Sequence, residues 1–148
     1  MSTRAIQASE LNKRNVLRFL EDTHSGRFDV IDELVAPEIR THGFPGGRNP
    51  ASRDEYKQFF ARLDAAFPGM EMSIDAMVGD QDQVAARFTV SGVHQAEFAG
   101  VPRTGRRVSF GGMAIYRMRN GQIAETWLYP DNLALLQQLG AVPMPTDA

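Results

Sequence analysis

The sequence predicts an α+β fold, with N-terminal helices packed over the concave face of a curled antiparallel sheet. Three observations carry that expectation. Up to Gly69 the apolar residues recur at helical spacing, and after it they alternate with polar residues at the period of a strand. Asn120-Gly121, a pair tolerant of positive φ, marks a tight hairpin between two of the alternating runs. Helices segregated from consecutive strands point to α+β rather than βαβ winding.

The elements follow in chain order. Val16, Phe19 and Leu20 take the i, i+3, i+4 spacing of an amphipathic helix from about Ser9 to Thr23, and His24-Ser25-Gly26 supplies its stop. Phe28, Ile31, Leu34 and Val35 predict a second short helix ending before Pro37, followed by a brief strand from Glu38 to His42. Residues 43–50, with three glycines and two prolines, read as a loop. Ser52-Arg53-Asp54-Glu55 is a capping box whose hydroxyl and carboxylate satisfy free backbone donors. Tyr56, Phe59, Phe60, Leu63 and Phe67 then recur at helical spacing until Pro68-Gly69, and suit either plain core or the wall of a cavity.

Beyond Gly69, Met70, Met72, Ile74, Ala76 and Val78 predict one face of a strand, and Val84, Ala86, Phe88 and Val90 that of the next. After a loop with Gly100, Pro102 and Gly105, a long strand carries Val108, Phe110, Ala114, Tyr116 and Met118. Ile123 to Tyr129 returns as its partner. A two-residue turn places Trp127 opposite Ala114 and Tyr129 opposite Gly112. Pro130-Asp131-Asn132 opens a last helix bearing Leu133, Leu136 and Leu139, with Gly140 past its end.

With 148 residues the chain fits one domain over 1–148, its ordered core running from about residue 9 to 140 between short tails. An apolar fraction of 43% and a charged fraction of 23% argue against disorder. The chain has no cysteine, which removes disulfides, thiolate catalysis, iron–sulfur clusters and cysteine zinc sites and fits a cytoplasmic setting. No apolar run is long enough for a membrane span, and no charged-then-apolar leader appears. A formal charge of −2 offers no general attraction to nucleic acid. Neither Gly43–Gly47 nor Gly111-Gly112 has the spacing of a phosphate-binding loop. A pocket for a small hydrophobic molecule is the expectation that remains.

Gly100-Val101-Pro102-Arg103-Thr104-Gly105-Arg106-Arg107-Val108, Ile115-Tyr116-Arg117, Asn120-Gly121-Gln122-Ile123-Ala124-Glu125, Trp127, Asp131 and Gln138-Leu139-Gly140 form a recognisable pattern. It resembles the SnoaL-like polyketide (ester) cyclases, members of the nuclear-transport-factor-2-like superfamily, from about Leu11 to Gly140. His42, Ala66-Phe67-Pro68 and Ser91-Gly92-Val93-His94 fall in step with it. The resemblance implies a cone-shaped α+β barrel, often a homodimer or tetramer, and ring closure by an intramolecular aldol step without metal or cofactor. In the family a carboxylate directly after the tryptophan removes a carbon-bound proton, and a histidine across the hairpin holds the enolate. Those two places hold Leu128 and Ala114 in this chain.

The catalytic candidates are therefore Asp131, His94 and His42. Asp131, before a leucine-spaced helix, serves either as its N-cap or as a pocket carboxylate. His42 and His94 fall on predicted strands and titrate near neutrality, as structural residues or as acid–base groups. Glu125 is a buried base or the partner of an arginine such as Arg117 or Arg87. Phe60, Arg87, Ala114, Tyr116, Glu125, Trp127 and Leu128 are the substrate-binding candidates, with Arg87 or the second histidine offsetting enolate charge. Gly111-Gly112 either clears space for a bound ring or permits a kink. No short-spaced ligand motif supports a metal site from His42, His94 and Asp131, so no metal or cofactor is expected. Arg103, Arg106, Arg107, Arg117 and Arg119 read as a solvated hairpin edge or as contacts for an anionic substrate. The expected function is cofactor-free, cyclase-like acid–base chemistry on a small hydrophobic carbonyl compound. A non-catalytic pocket protein, or a dehydratase, isomerase or epoxide-hydrolase relative, is the alternative.

Overall fold

The structure is a computed structural model and describes residues 2–145. Helices α1 (Thr3–Thr23), α2 (Val30–Leu34) and α3 (Arg53–Ala66) surround strand β1 (Val35–His42), and a short 3-10 turn spans Pro45–Gly47. Strands β2 (Glu71–Gly79), β3 (Gln83–Val93), β4 (Arg107–Arg119) and β5 (Gln122–Pro130) follow, then α4 (Asn132–Gln138). One five-stranded sheet runs in the order β1-β5-β4-β3-β2. The expected α+β class holds, with β2 to β5 an antiparallel meander. The sheet is nonetheless mixed, because β1 joins its edge parallel to β5. The long stretch of chain between β1 and β5 permits that parallel pairing, which no tight hairpin can make.

Helix α1 begins six residues earlier than the apolar spacing predicts (residue 3 against 9), because Ser2 Oγ accepts the Ala5 amide at 3.2 Å and caps it. Its buried residues begin only at Asn12, so the first turns carry no periodic signal. Strand β1 begins at Val35 rather than Glu38, and tolerates Pro37 because it lies at the sheet edge. The capping box forms as predicted, with Ser52 Oγ accepting the Glu55 amide at 3.1 Å.

Two bulges overturn expectations about faces. In β2 the register shifts between Ile74 and Ala76, leaving Asp75 unpaired. Met77 then packs on the core, whereas Val78 is 68% exposed. The second shift falls in β5. Asn120-Gly121 closes the predicted two-residue hairpin, with φ of 52° and 78°. Ala124 is then left over between the Met118–Ile123 and Arg117–Glu125 pairs. Consequently Leu128 stands opposite Ala114, and Trp127 opposite Ile115. The predicted Trp127–Ala114 and Tyr129–Gly112 pairs are off by one, which turns Trp127 and Tyr129 to the outer face. In α4, Leu135 and Leu139 are buried, while the predicted Leu133 is exposed.

The core lies between α1, α3 and the inner faces of β3 and β4. Phe19 contacts Tyr56, Phe60 and Tyr116 edge-on at 5.5, 5.8 and 6.0 Å. Each such ring adds about 1.5–3 kcal/mol by burial and about 0.5–1.5 kcal/mol by aromatic geometry. Among the described residues, no helix is long and apolar enough to cross a membrane.

Candidate functional site

Packing is incomplete where α1 and α3 cross the inner faces of β3, β4 and β5. The chamber left there is walled by aromatic and aliphatic side chains, among them Leu20, Phe59, Phe60, Leu63, Phe88, Phe110 and Leu128. About 60 Å³ of it is free to the centre of a water-sized molecule. At about 10–15 Å³ per water, that holds roughly four to six waters. Its polar groups are few: His24, Tyr56, Tyr116, Thr126 and Asn132.

His24 sits at the C-cap of α1, one helical turn after Leu20. Its Nδ1 lies 2.8 Å from the Leu20 carbonyl oxygen. A carbonyl only accepts, so Nδ1 carries the proton and the neutral ring keeps a lone pair on Nε2. Nε2 has no hydrogen-bond partner among the described residues, and His24 lines the chamber. The ring packs against Phe60 at 5.5 Å and Phe88 at 6.4 Å. Burial lowers its pKa from the usual histidine value, and the bond to the Leu20 carbonyl opposes that only in part. The negative end of α1 would favour an imidazolium there, but desolvation prevails.

Tyr56 and Tyr116 are buried and line the chamber, and neither hydroxyl has a hydrogen-bond partner among the described residues. Burial pushes both pKa values up, and the neighbouring Tyr116 adds to the effect on Tyr56. Both phenols therefore stay protonated near neutral pH and are available to donate. Among the described residues, no carboxylate lines the chamber. In the sequence His24 reads only as part of a helix stop. The signal that marks it is its place four residues after Leu20 and eight after Val16, on the buried stripe of α1.

Of the residues singled out from sequence, Phe60, Tyr116 and Leu128 line the chamber. Ala114 is buried on the inner face as the cross-strand partner of Leu128. The places that the resemblance assigns to a carboxylate and a histidine thus hold an aliphatic pair on the inner face.

His42, Glu125 and Trp127 are brought together, but on the outer face. The His42 ring stacks on Trp127 at 5.4 Å, and its Nε2 lies 2.7 Å from Glu125 Oε2. The other Glu125 oxygen takes Arg117 at 3.3 Å. The bond from His42, with help from Arg117, lowers the Glu125 pKa against the opposing effect of burial. Glu125 is therefore a held carboxylate, and the arginine-partner reading describes its geometry. Arg87 is exposed on the same side, 4.0 Å from Asp75. Asp131 caps α4, its Oδ1 accepting the Ala134 amide at 3.0 Å, and it borders an outer groove with Arg87 and Gly112.

His94 is fully buried without lining the chamber. Its Nδ1 accepts the Thr104 amide at 3.2 Å, and its backbone pairs with Gly105 and Arg106. It pins the base of the excursion between β3 and β4. Its Nε2 is left without a partner beside Phe67, whose ring is 5.5 Å away. The arginine cluster is dispersed. Arg103 bonds Gln95, Arg106 reaches the Gln138 carbonyl, Arg117 pairs with Glu125 and Arg119 with Glu38. Among the described residues, no group of three or more His, Asp or Glu is placed to hold a metal ion.

Comparison with known proteins adds the lineage. No curated protein matches the chain. In fold it is similar to a protein from Jannaschia sp. CCS1 named as a candidate SnoaL-like polyketide cyclase. That pair has a TM-score of 0.82 and 24% identity over 91% of this chain and 95% of the other. TsrD from Streptomyces laurentii superimposes with a TM-score of 0.79 and 25% identity, covering 96% of this chain and 99% of TsrD. IdmH from Streptomyces antibioticus, named as a candidate polyketide cyclase, has a TM-score of 0.73 and 31% identity over 87% of this chain and 98% of IdmH. The family profile described as SnoaL-like polyketide cyclase matches residues 14–139, nearly the whole of the helices and sheet that enclose the chamber. The chain belongs to the SnoaL-like polyketide cyclase family.

Proposed function

We propose that this protein is a cofactor-free acid–base enzyme that closes a ring on a small hydrophobic carbonyl compound bound in the chamber, with His24 as the base. The observation that carries the reading is the His24 ring, fixed by the Leu20 carbonyl in the tautomer that leaves an unprotonated Nε2 on the chamber side. In this scheme Nε2 takes a proton from the activated carbon, and the bond electrons pass into an enolate. The Tyr116 or Tyr56 hydroxyl donates to the enolate oxygen. The enolate carbon attacks a second carbonyl of the same molecule, and the resulting alkoxide takes back the proton from the imidazolium. A desolvated imidazolium returns its proton readily, which suits it to both steps.

The test is deuterium exchange and ring closure on a panel of aryl β-keto esters. Wild type should catalyse both, and His24→Gln should lower the rate by about a hundredfold or more, the usual scale of a lost general base. No exchange by wild type, or full activity in His24→Gln, rejects the scheme.

A second reading, a non-catalytic small-molecule binder, is favoured by one feature. Among the described residues no carboxylate lines the chamber, and Leu128 and Ala114 pair at the places that the resemblance assigns to the catalytic carboxylate and histidine. It predicts ligand binding by calorimetry with turnover no faster than buffer. For the assembly we propose a homodimer through the outer sheet face, where Met113, Ile115 and Tyr129 are exposed around Trp127. Light scattering showing a monomer would reject that.

A further inference from the structure

The chamber shares part of its aromatic wall with a neighbouring space. Pro45, Phe59 and Phe98 also border a second, more open space of about 260 Å³, whose other side is built from Arg48, Arg62 and Glu97. Phe98 reaches this position on the excursion that His94 pins. It pairs with Val101 across a two-residue tip, Ala99-Gly100, in which both residues have positive φ. The partition is therefore a defined hairpin and not a loose strand end.

The two spaces differ in chemistry. The inner one is almost wholly apolar, while the outer one presents two guanidinium groups. Neither Arg48 nor Arg62 has a carboxylate within 4.0 Å among the described residues. The carboxylate they share the space with is already engaged, since Glu97 Oε1 accepts the Gly100 amide at 2.8 Å. Further along α3 the same arginines border Glu55, in the first turn of that helix. Within the outer space itself, two cations thus stand against one anion, an excess of one positive charge there, with Glu55 in the adjoining groove. A carboxylate matches both that charge and the fork geometry of a guanidinium.

We propose that Arg48 and Arg62 select a ligand with an apolar head in the chamber and a carboxylate tail that passes Phe98 into the outer space. The inference rests on the chamber reading above and narrows its substrate class to aryl or alkyl carbonyl acids.

Calorimetry with 4-phenylbutanoate and 4-phenylbutanamide, which differ in the charge of the tail, separates the two ideas. At low salt the anion should bind wild type about fivefold more tightly than the amide, the scale of two solvent-exposed ion pairs. That preference should fade as salt is raised. Replacing both arginines (Arg48→Gln with Arg62→Gln) should bring the anion down to the affinity of the amide. Equal binding of the two probes by wild type, or a preference that survives in the double variant, overturns this inference alone. Binding of neither probe overturns the chamber reading and this inference with it.

Discussion

Gly43→Ala should weaken the fold and the chamber together. Gly43 follows β1, has a φ of +82°, and its backbone packs against Leu128. A methyl group there would overlap the Leu128 carbonyl oxygen, which belongs to backbone and cannot swing aside. Two costs add. The left-handed conformation costs a non-glycine residue about 1–2 kcal/mol. Relieving the overlap parts β1 from β5 near the His42–Trp127 pair, at about 1 kcal/mol for each of one or two hydrogen bonds. The sum is about 2–4 kcal/mol, a large share of a typical 5–15 kcal/mol stability. With a urea m-value of about 1.5–2 kcal/mol/M, the unfolding midpoint should fall by about 1–2.5 M. Leu128 lines the chamber, so the affinity for 4-phenylbutanamide should fall in parallel. A midpoint within about 0.3 M of wild type, well short of the worked range, would refute the claim that this close approach is tight.

Three further outcomes follow from the site. The lowered pKa of buried His24 means that the unfolded chain takes up a proton there more readily than the folded one. Its contribution to stability is therefore present above about pH 6.5 and is lost as pH falls through the folded value, by about 1.4 kcal/mol per unit of depression. Urea titrations across pH 5–8 should show that slope removed in His24→Gln. Exchange activity should rise with pH through the same lowered value and level off near neutrality. Tyr116→Phe removes a hydroxyl that has no protein partner, so stability should change by less than about 0.5 kcal/mol while exchange falls about tenfold or more; a loss of stability with full activity would reverse its assignment. Asp131→Ala should cost about 1 kcal/mol as a lost helix cap and Asp131→Asn much less, with exchange by Asp131→Asn close to wild type. A collapse of exchange in Asp131→Asn would return the base to that carboxylate.

Much of the fold was legible in the chain because its signals are local. The capping box at Ser52–Glu55, the aromatic spacing of α3, the alternation in β3 and β4 and the Asn120-Gly121 turn each depend on neighbours a few residues away. The family pattern was legible too, and the resemblance marks Leu128 and Ala114 as the places where an acid–base pair is expected. The site was legible only in part: Phe60, Tyr116 and Leu128 lie on the chamber, but His42, Glu125, Trp127 and Arg87 lie across the sheet from it.

The reason is that a face is decided by register, and register belongs to a pair of strands. One extra residue at Ala124, accommodated against β4, sends Thr126 and Leu128 inward and Trp127 outward, although nothing in the residues near Ala124 announces the bulge. The role of His24 likewise waited on packing. Its proton is placed by the Leu20 carbonyl beneath it, but its place on the chamber depends on Phe60 and Phe88, which arrive from α3 and β3. Periodicity and turn chemistry determined which elements form. Only the meeting of distant segments decided which side chains share an enclosed space, because burial is a property of the assembled layers and not of any one of them.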